Sequence, residues 1–327
     1  MPENKLYPPE GLSAPVPLTL SALRDAQSSG AVLEAAALRC DAALCLHFQF
    51  GSVTARMPRE EVTAPWITGA GRDIAVLSRV GKPVCFTVTD LSADAKGAPV
   101  ALLSRKQAQE DAITALEALL RPGSVVTGRI VGMEPFGAFV DIGRGIVALL
   151  PTAYISAARI RHPWERFQIG QKILAGVKSL DRASHRITLT HRELLGTWLE
   201  NASLFAPGDT VQGIVRGIQD YGAFIELTPN LSGLTDRRDD LHEGDAVSVN
   251  IRSLRPERMK VKLQVIERLP PLPAPEPLRY WITDGVLERW VQGRAPQGAA
   301  TVPLERWVYS PANFEGEAAE TVFTPVP

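Results

Sequence analysis

The chain has 327 residues, 45% of them hydrophobic, and a formal net charge of −1. That length supplies two to four small domains with adequate cores, and that charge excludes binding of nucleic acid through bulk positive charge alone. No run of 18 apolar residues occurs, which excludes a membrane-spanning helix, and Cys40, Cys45 and Cys85 give one Cys-x4-Cys pair with no fourth ligand, so reduced thiols and no zinc or iron–sulfur site are expected.

Residues 1–18 are proline-rich and predict a flexible N-terminal arm, and they lack the basic start and apolar run of a secretion signal. Residues 19–27 suggest a short helix. From Gly30 five apolar segments follow, separated by turn signals: AVLEAAALRC, ALCLHFQF, SVTARMPREEV, GKPVCFTVTDL and VALLSRKQ. In the second segment Leu44, Leu46, Phe48 and Phe50 share one face, and Cys45, His47 and Gln49 the other. His47 reads as a hydrogen-bonded surface histidine rather than a ligand. Residues 19–108 are therefore expected to form a small β domain with no outward aromatic pair. A helix follows, read over 105–121 and serving as a linker over 109–121, with Ala108, Ala112, Ile113, Leu116, Leu119 and Leu120 near helical spacing and Pro122–Gly123 as its stop.

The stretch Gly123–Ile142 recurs at 208–227. Over these 20 positions the offset is 85 throughout and 7 residues are identical: Gly123, Val126, Gly128, Gly132, Gly137, Ala138 and Phe139. Phe136 is matched by Tyr221 and Asp141 by Glu226. Both copies read as two strands. In the second strand Ala138, Val140 and Ile142 point one way, and Phe139 and Asp141 the other; Ala223, Ile225 and Leu227 repeat this against Phe224 and Glu226. A large aromatic thus shares the acid-bearing, solvent-facing side in both copies. A bend at Gly137 or Gly222 would bring Phe136 or Tyr221 onto that side. Exposed rings there suit base stacking, worth roughly 1–3 kcal/mol per base. Between the copies a second linker helix is read over about 191–205, with Thr190 and Glu193 as a capping box and 194–206 as the connecting segment.

These residues carry a resemblance. Gly-x-Val-x-Gly, Phe-Gly-Ala-Phe, Gly-x-x-x-Leu-Leu-Pro, a Gly-Gln strand and Asp-…-Arg-Ile-x-Leu, in that order, resemble the RNA-binding domain of ribosomal protein S1, particularly in Gram-positive bacteria. The resemblance covers 122–193 and 207–269. It implies an all-β fold of tandem five-stranded OB-type barrels joined by short helices, an architecture used for oligonucleotides, with 19–108 as a diverged copy. It also implies RNA-binding roles for Phe136, Phe139, Asp181 and Arg186 in the middle barrel. In the last barrel Tyr221 and Phe224 take the ring positions, while Arg255 and Lys260 stand where the acid and the arginine would be. A histidine common in the family is replaced by Pro151 and Asp236.

Residues 270–327 read as a proline-rich connector, a tryptophan-rich hairpin built on LERWV at 287–291 and 304–308, and an acidic tail. Trp281, Trp290 and Trp307 would extend the stacking surface or cover the last barrel.

The function expected is binding of single-stranded RNA, messenger RNA above all, by a cytoplasmic monomer in translation, at or near the small ribosomal subunit. A non-catalytic ribosome-docking or RNA-decay accessory protein is the alternative. No enzyme, cofactor, catalytic residue or metal is expected, because no carboxylate cluster, phosphate loop or nucleophile–base constellation stands out. Residues 122–193 hold ten Lys/Arg against five Asp/Glu, and 207–268 nine against ten, so the middle barrel is expected to be the stronger electrostatic anchor.

Overall fold

The computed structural model describes residues 7–13, 16–67, 70–271 and 277–287. The alternating apolar segments of the middle unit close into a barrel. Its strands are β7 (Val125–Glu134), β8 (Gly137–Asp141), β9 (Val147–Pro151), β10 (Lys172–Asp181) and β11 (Arg186–Thr190), in the order β10-β11-β9-β8-β7. The last unit repeats it with β12 (Thr210–Gln219), β13 (Gly222–Thr228), β14 (Leu231–Thr235), β15 (Ala246–Arg255) and β16 (Lys260–Arg268), in the order β12-β13-β14-β16-β15. In both barrels one parallel pairing, β9 with β11 and β14 with β16, completes the closure.

The first unit has β1 (Leu33–Ala36), β2 (Arg39–Cys40), β3 (Leu46–Phe50), β4 (Val53–Met57), β5 (Pro83–Ala93) and β6 (Pro99–Ser104). Its sheet order, β1-β5-β6-β4-β3-β2, is the barrel order with the first strand broken into β1 and β2. This is a diverged copy as the segment count suggests, but an open six-stranded sheet rather than a closed barrel. Phe48, Phe50 and Phe86 pack ring against ring in its core, so the aromatics here are structural.

The helices follow the sequence in part. Helix α1 (Leu20–Ser29) is capped by Thr19, whose hydroxyl accepts from the Ala22 amide at 3.2 Å. A single turn, α2 (Ile74–Leu77), lies in the long loop after β4. Helix α3 (Arg105–Leu119) buries Ala112, Ile113 and Leu116 in the core of the middle barrel. The helix expected over 191–205 is broken. Arg192–Leu195 is a 3₁₀ turn, and α4 spans only Trp198–Ala202. The capping box is at Thr197 and Glu200, not Thr190 and Glu193; the Thr190 hydroxyl instead satisfies the buried Glu193 carboxylate. The break lies at Gly196, whose φ of +84° is left-handed and whose missing side chain leaves room for the Trp281 ring.

Two segments expected to be peripheral are integral. Residues 7–13, read as part of a loose arm, lie between the first sheet and the middle barrel, where Tyr7 packs against the barrel core and Glu10 is buried. Past the proline-rich connector, 277–287 returns to the middle barrel. The Trp281 amide donates to Leu194 O at 2.8 Å, and the Leu287 amide to Gly123 O at 2.8 Å. Trp281 therefore covers the junction beside the middle barrel rather than the last barrel. The LERWV hairpin, with Trp290 and Trp307, and the acidic tail lie outside the described residues beyond Leu287.

That return segment fixes a buried histidine. His191 has no solvent exposure; its Nδ1–H donates to Ile155 O at 2.8 Å, and the Tyr280 hydroxyl lies 3.1 Å from its Nε2. Burial, above all, lowers its pKa from 6.5 to about 4. The unfolded chain takes up this proton near pH 6.5 and the folded chain only near 4, so stability is intact above 6.5 and declines as pH falls toward 4. The full loss is about 3 kcal/mol, at 1.36 kcal/mol per unit. A His191→Asn chain, which has no such proton to gain, is expected to lose less stability than the wild type between pH 7 and 4 in urea titrations. Parallel declines would show that His191 does not set this dependence.

Candidate nucleic-acid interface

The strand parity read from the sequence places the rings correctly. Ala138, Val140 and Ile142 are at most 1% exposed and fill the barrel, while Phe136 is 60% exposed and Phe139 partly exposed on the opposite side. The two rings meet edge to face at 5.9 Å and 87°. In the last barrel Tyr221 and Phe224, 66% and 37% exposed, meet at 6.3 Å and 89°. A core would bury such rings; here each barrel holds a T-shaped pair in solvent. The edge-to-face contact is itself favourable and fixes the rings, and their free faces are open to a base.

Cross-strand register locates the charged residues. Phe139 stands opposite Leu149, and Leu149 opposite Thr188. Arg186, two residues before Thr188 on β11, therefore lies on the same side, beside exposed Val147 and away from Phe136. Asp181 is the cross-strand partner of Arg186 at the tip of the hairpin. Its carboxylate caps that turn, accepting from the Ala183 amide at 3.0 Å and the Ser184 hydroxyl at 2.6 Å, and the Ser184 bond is the main cause of its lowered pKa. Asp181 thus shapes the loop that carries Arg186. In the last barrel Arg255 pairs with Lys260 across β15 and β16, and both are exposed. Arg186, Arg255 and Lys260 form no ion pair among the described residues and are available to phosphates.

Asp141 and Glu226 depart from the sequence reading. Both stand on the ring-bearing side, but they are 1% and 6% exposed because the preceding unit covers that end of each barrel. Asp141 accepts from the Glu10 amide at 2.8 Å and the Gly143 amide at 2.9 Å. Burial, with the Glu10 charge second, raises its pKa to about 7. Glu226 binds Arg166 at 2.5 Å and Arg216 at 2.6 Å. Asn230, also buried, accepts from the Ala157 amide at 2.9 Å and donates to Gly196 O at 2.6 Å and Arg192 O at 2.7 Å. Arg166 and Ala157 belong to the loop between β9 and β10, so the middle barrel grips the last one through the acid that the sequence placed in water.

The same loop holds residues to which the sequence analysis gave no role. Arg159 and Arg161 are exposed, and Trp164, 64% exposed, stacks on His162 at 3.7 Å. A basic–aromatic cluster in a loop was the available signal, and it has no period to mark it.

One grouping suits a metal on paper. Asp41, Cys45 and His47 bring a ligand atom each within 4.8 Å. Asp41, however, caps a tight turn, with Oδ1 accepting from the Ala43 and Cys45 amides and Oδ2 2.7 Å from His47 Nε2. Burial raises the Cys45 thiol pKa, which disfavours the thiolate a metal requires. These residues read as a hydrogen-bonded hairpin.

Comparison with known proteins gives the site its context. Residues 119–192 match the family model of the S1 RNA binding domain. The chain is 31% identical over 185 residues to small ribosomal subunit protein bS1 of Staphylococcus aureus (strain COL), covering 52% of this chain and 47% of that protein. It is 33% identical over 187 residues to bS1 of Leuconostoc lactis, covering 52% and 43%. The chain spans about half the length of the curated relatives it matches. Among solved structures, a multidomain protein with nucleic acid binding domains from Streptococcus pneumoniae aligns over 72% of this chain and 73% of its own, at 13% identity and a TM-score of 0.26.

Proposed function

We propose that this S1-like chain, with an S1 RNA binding domain at 119–192, binds single-stranded RNA, messenger RNA in particular, and serves translation at the small ribosomal subunit. The reading places it in the cytoplasm as a non-catalytic monomer. The observation that carries it is the recurrence, 85 residues apart, of an exposed T-shaped ring pair on two barrels. Phe136 with Phe139, and Tyr221 with Phe224, stack bases; Arg186, Arg255 and Lys260 meet phosphates, and Asp181 holds the loop beside Arg186. The names of the bS1 relatives support the ribosomal setting. Among the described residues no helix is long and apolar enough to cross a membrane.

Stacking requires unstacked bases. The full chain is therefore expected to shift an unstructured RNA oligonucleotide in a gel and to bind the same sequence as a duplex at least tenfold more weakly, the loss of about one stack. Equal binding of the two would remove the platforms from the explanation. Co-sedimentation with small ribosomal subunits at low and high salt tests the setting separately.

A further inference from the structure

A cleft of about 960 Å³ separates the middle barrel's loop from the outward face of the last barrel. Its floor is β12, Phe224 and Ser232; its far wall carries Arg159 and Arg161. We infer that this cleft is a channel for single-stranded RNA, in which bases stacked on Phe224 continue across the last barrel while Arg159 and Arg161, supplied by the middle barrel, hold the phosphates. The inference rests on the RNA-binding reading above and adds a second set of contacts to it.

Four observations carry it. Phe224 belongs both to the ring pair and to the cleft floor, so the ring pair opens directly into the cleft. Its cross-strand partner is Gly217, above which a side chain would meet nothing nearer than Glu243 at 4.0 Å. The space beside the ring is therefore clear to a base. Ser232, on the floor, stands level with Lys260 on the neighbouring strand, two residues before the Leu234–Lys262 pairing, so the basic row of the last barrel runs alongside. Arg159 is exposed and forms no ion pair among the described residues, while the Arg161 side chain is 79% exposed and among those residues pairs with Glu243, a surface pair that a phosphate displaces at little cost.

The middle barrel shows how the chain's own residues cover the acid end of such a strip. At an offset of 85, Ile214 and Glu226 correspond to Arg129 and Asp141. There the chain's own residues are seated: the Glu10 amide bonds Asp141 at 2.8 Å, and Arg129 donates to Glu10 O at 2.8 Å. In the last barrel the corresponding acid, Glu226, is held instead by Arg166 from the middle barrel's loop at 2.5 Å, and the cleft opens beside that contact. The middle barrel's loop lines this face with Arg159 and Arg161 against one acid, Glu165, so the excess of one acidic residue over 207–268 understates the positive charge along it by one.

The test uses the full chain carrying Phe136→Ala and Phe139→Ala, so that binding reports the last barrel, and an unstructured RNA of about a dozen nucleotides, within the usual site size of such barrels. Adding Arg159→Ala and Arg161→Ala is expected to weaken binding at low salt at least tenfold and to reduce the log–log salt slope by about 1.4, two phosphates at −0.7 each. Arg24→Ala with Lys96→Ala, two exposed residues of the first unit, on α1 and in the turn between β5 and β6, serves as control and should leave the slope unchanged; thermal melting should stay at the parent value for both. Unchanged affinity and slope for the cleft variant, or an equal fall in the control, overturns the channel. If the wild-type chain itself binds no RNA, or loses nothing when both ring pairs are removed, it is the RNA-binding reading that fails.

Discussion

Replacing Phe136 and Phe139 together with alanine is expected to weaken the middle barrel's binding of a short single-stranded RNA by about 2–5 kcal/mol, two stacks' worth, without lowering the melting temperature of that barrel. The asymmetry follows from exposure. Phe136 is 60% exposed and meets Phe139 edge to face, while Ala138, Val140 and Leu150 form the core on the other side of the sheet. Deleting a core phenylalanine costs several kcal/mol of stability; deleting these rings removes little buried area and most of the ligand's stacking surface. A large fall in melting temperature with RNA affinity retained would make them part of the core and end the platform reading. Tyr221→Ala with Phe224→Ala should weaken the last barrel's binding similarly.

Glu10→Ala should be among the most destabilising single substitutions in the chain, at about 3–5 kcal/mol, because it leaves a buried guanidinium without its partner. Arg105 is 1% exposed and gives Glu10 two parallel bonds, Nε at 2.6 Å and Nη2 at 2.9 Å. The Cys85 amide adds a third at 3.1 Å. Burial alone would raise the Glu10 pKa, but Arg105 outweighs it and holds the carboxyl well below its usual range. Its contribution is therefore fully present above the ordinary carboxylate pKa and fades only as pH falls well below it. The pair is also shielded from salt, so the loss measured in urea should be nearly the same at low and high ionic strength. Glu10→Leu with Arg105→Met, which removes both charges, should recover much of it. A loss below 1 kcal/mol for Glu10→Ala would mean that the arm is not fastened at this point.

What the sequence revealed and what it concealed divide along a physical line. Local repetition was legible. The offset between Phe139 and Phe224 located both ring pairs, and the period of two fixed which side the rings occupy. The five apolar segments of the first unit gave its strand content; Ala37 and Leu38 did not announce that its first strand breaks there. Contacts between distant segments left no period to read. Asp141 looked like a surface acid until residue 10 was found against it, 131 positions away. Trp281 covers Gly196 only because the chain returns across the middle barrel. The 191–205 helix followed from an apolar stripe, but a left-handed glycine overrides such a stripe whatever its amphipathicity.

The grip of Arg166 on Glu226, with Asn230 beneath it, also sets the separation of the two ring pairs. An RNA strand seated on Phe136 and Phe139 presents its next nucleotides to Tyr221 and Phe224 at an effective concentration fixed by that geometry, which reaches the millimolar range for short connections. A strand long enough to reach both gains this avidity, and a shorter one gains none. On the proposed function the chain would thereby gauge unpaired length, binding an extended single-stranded stretch more tightly than a small loop.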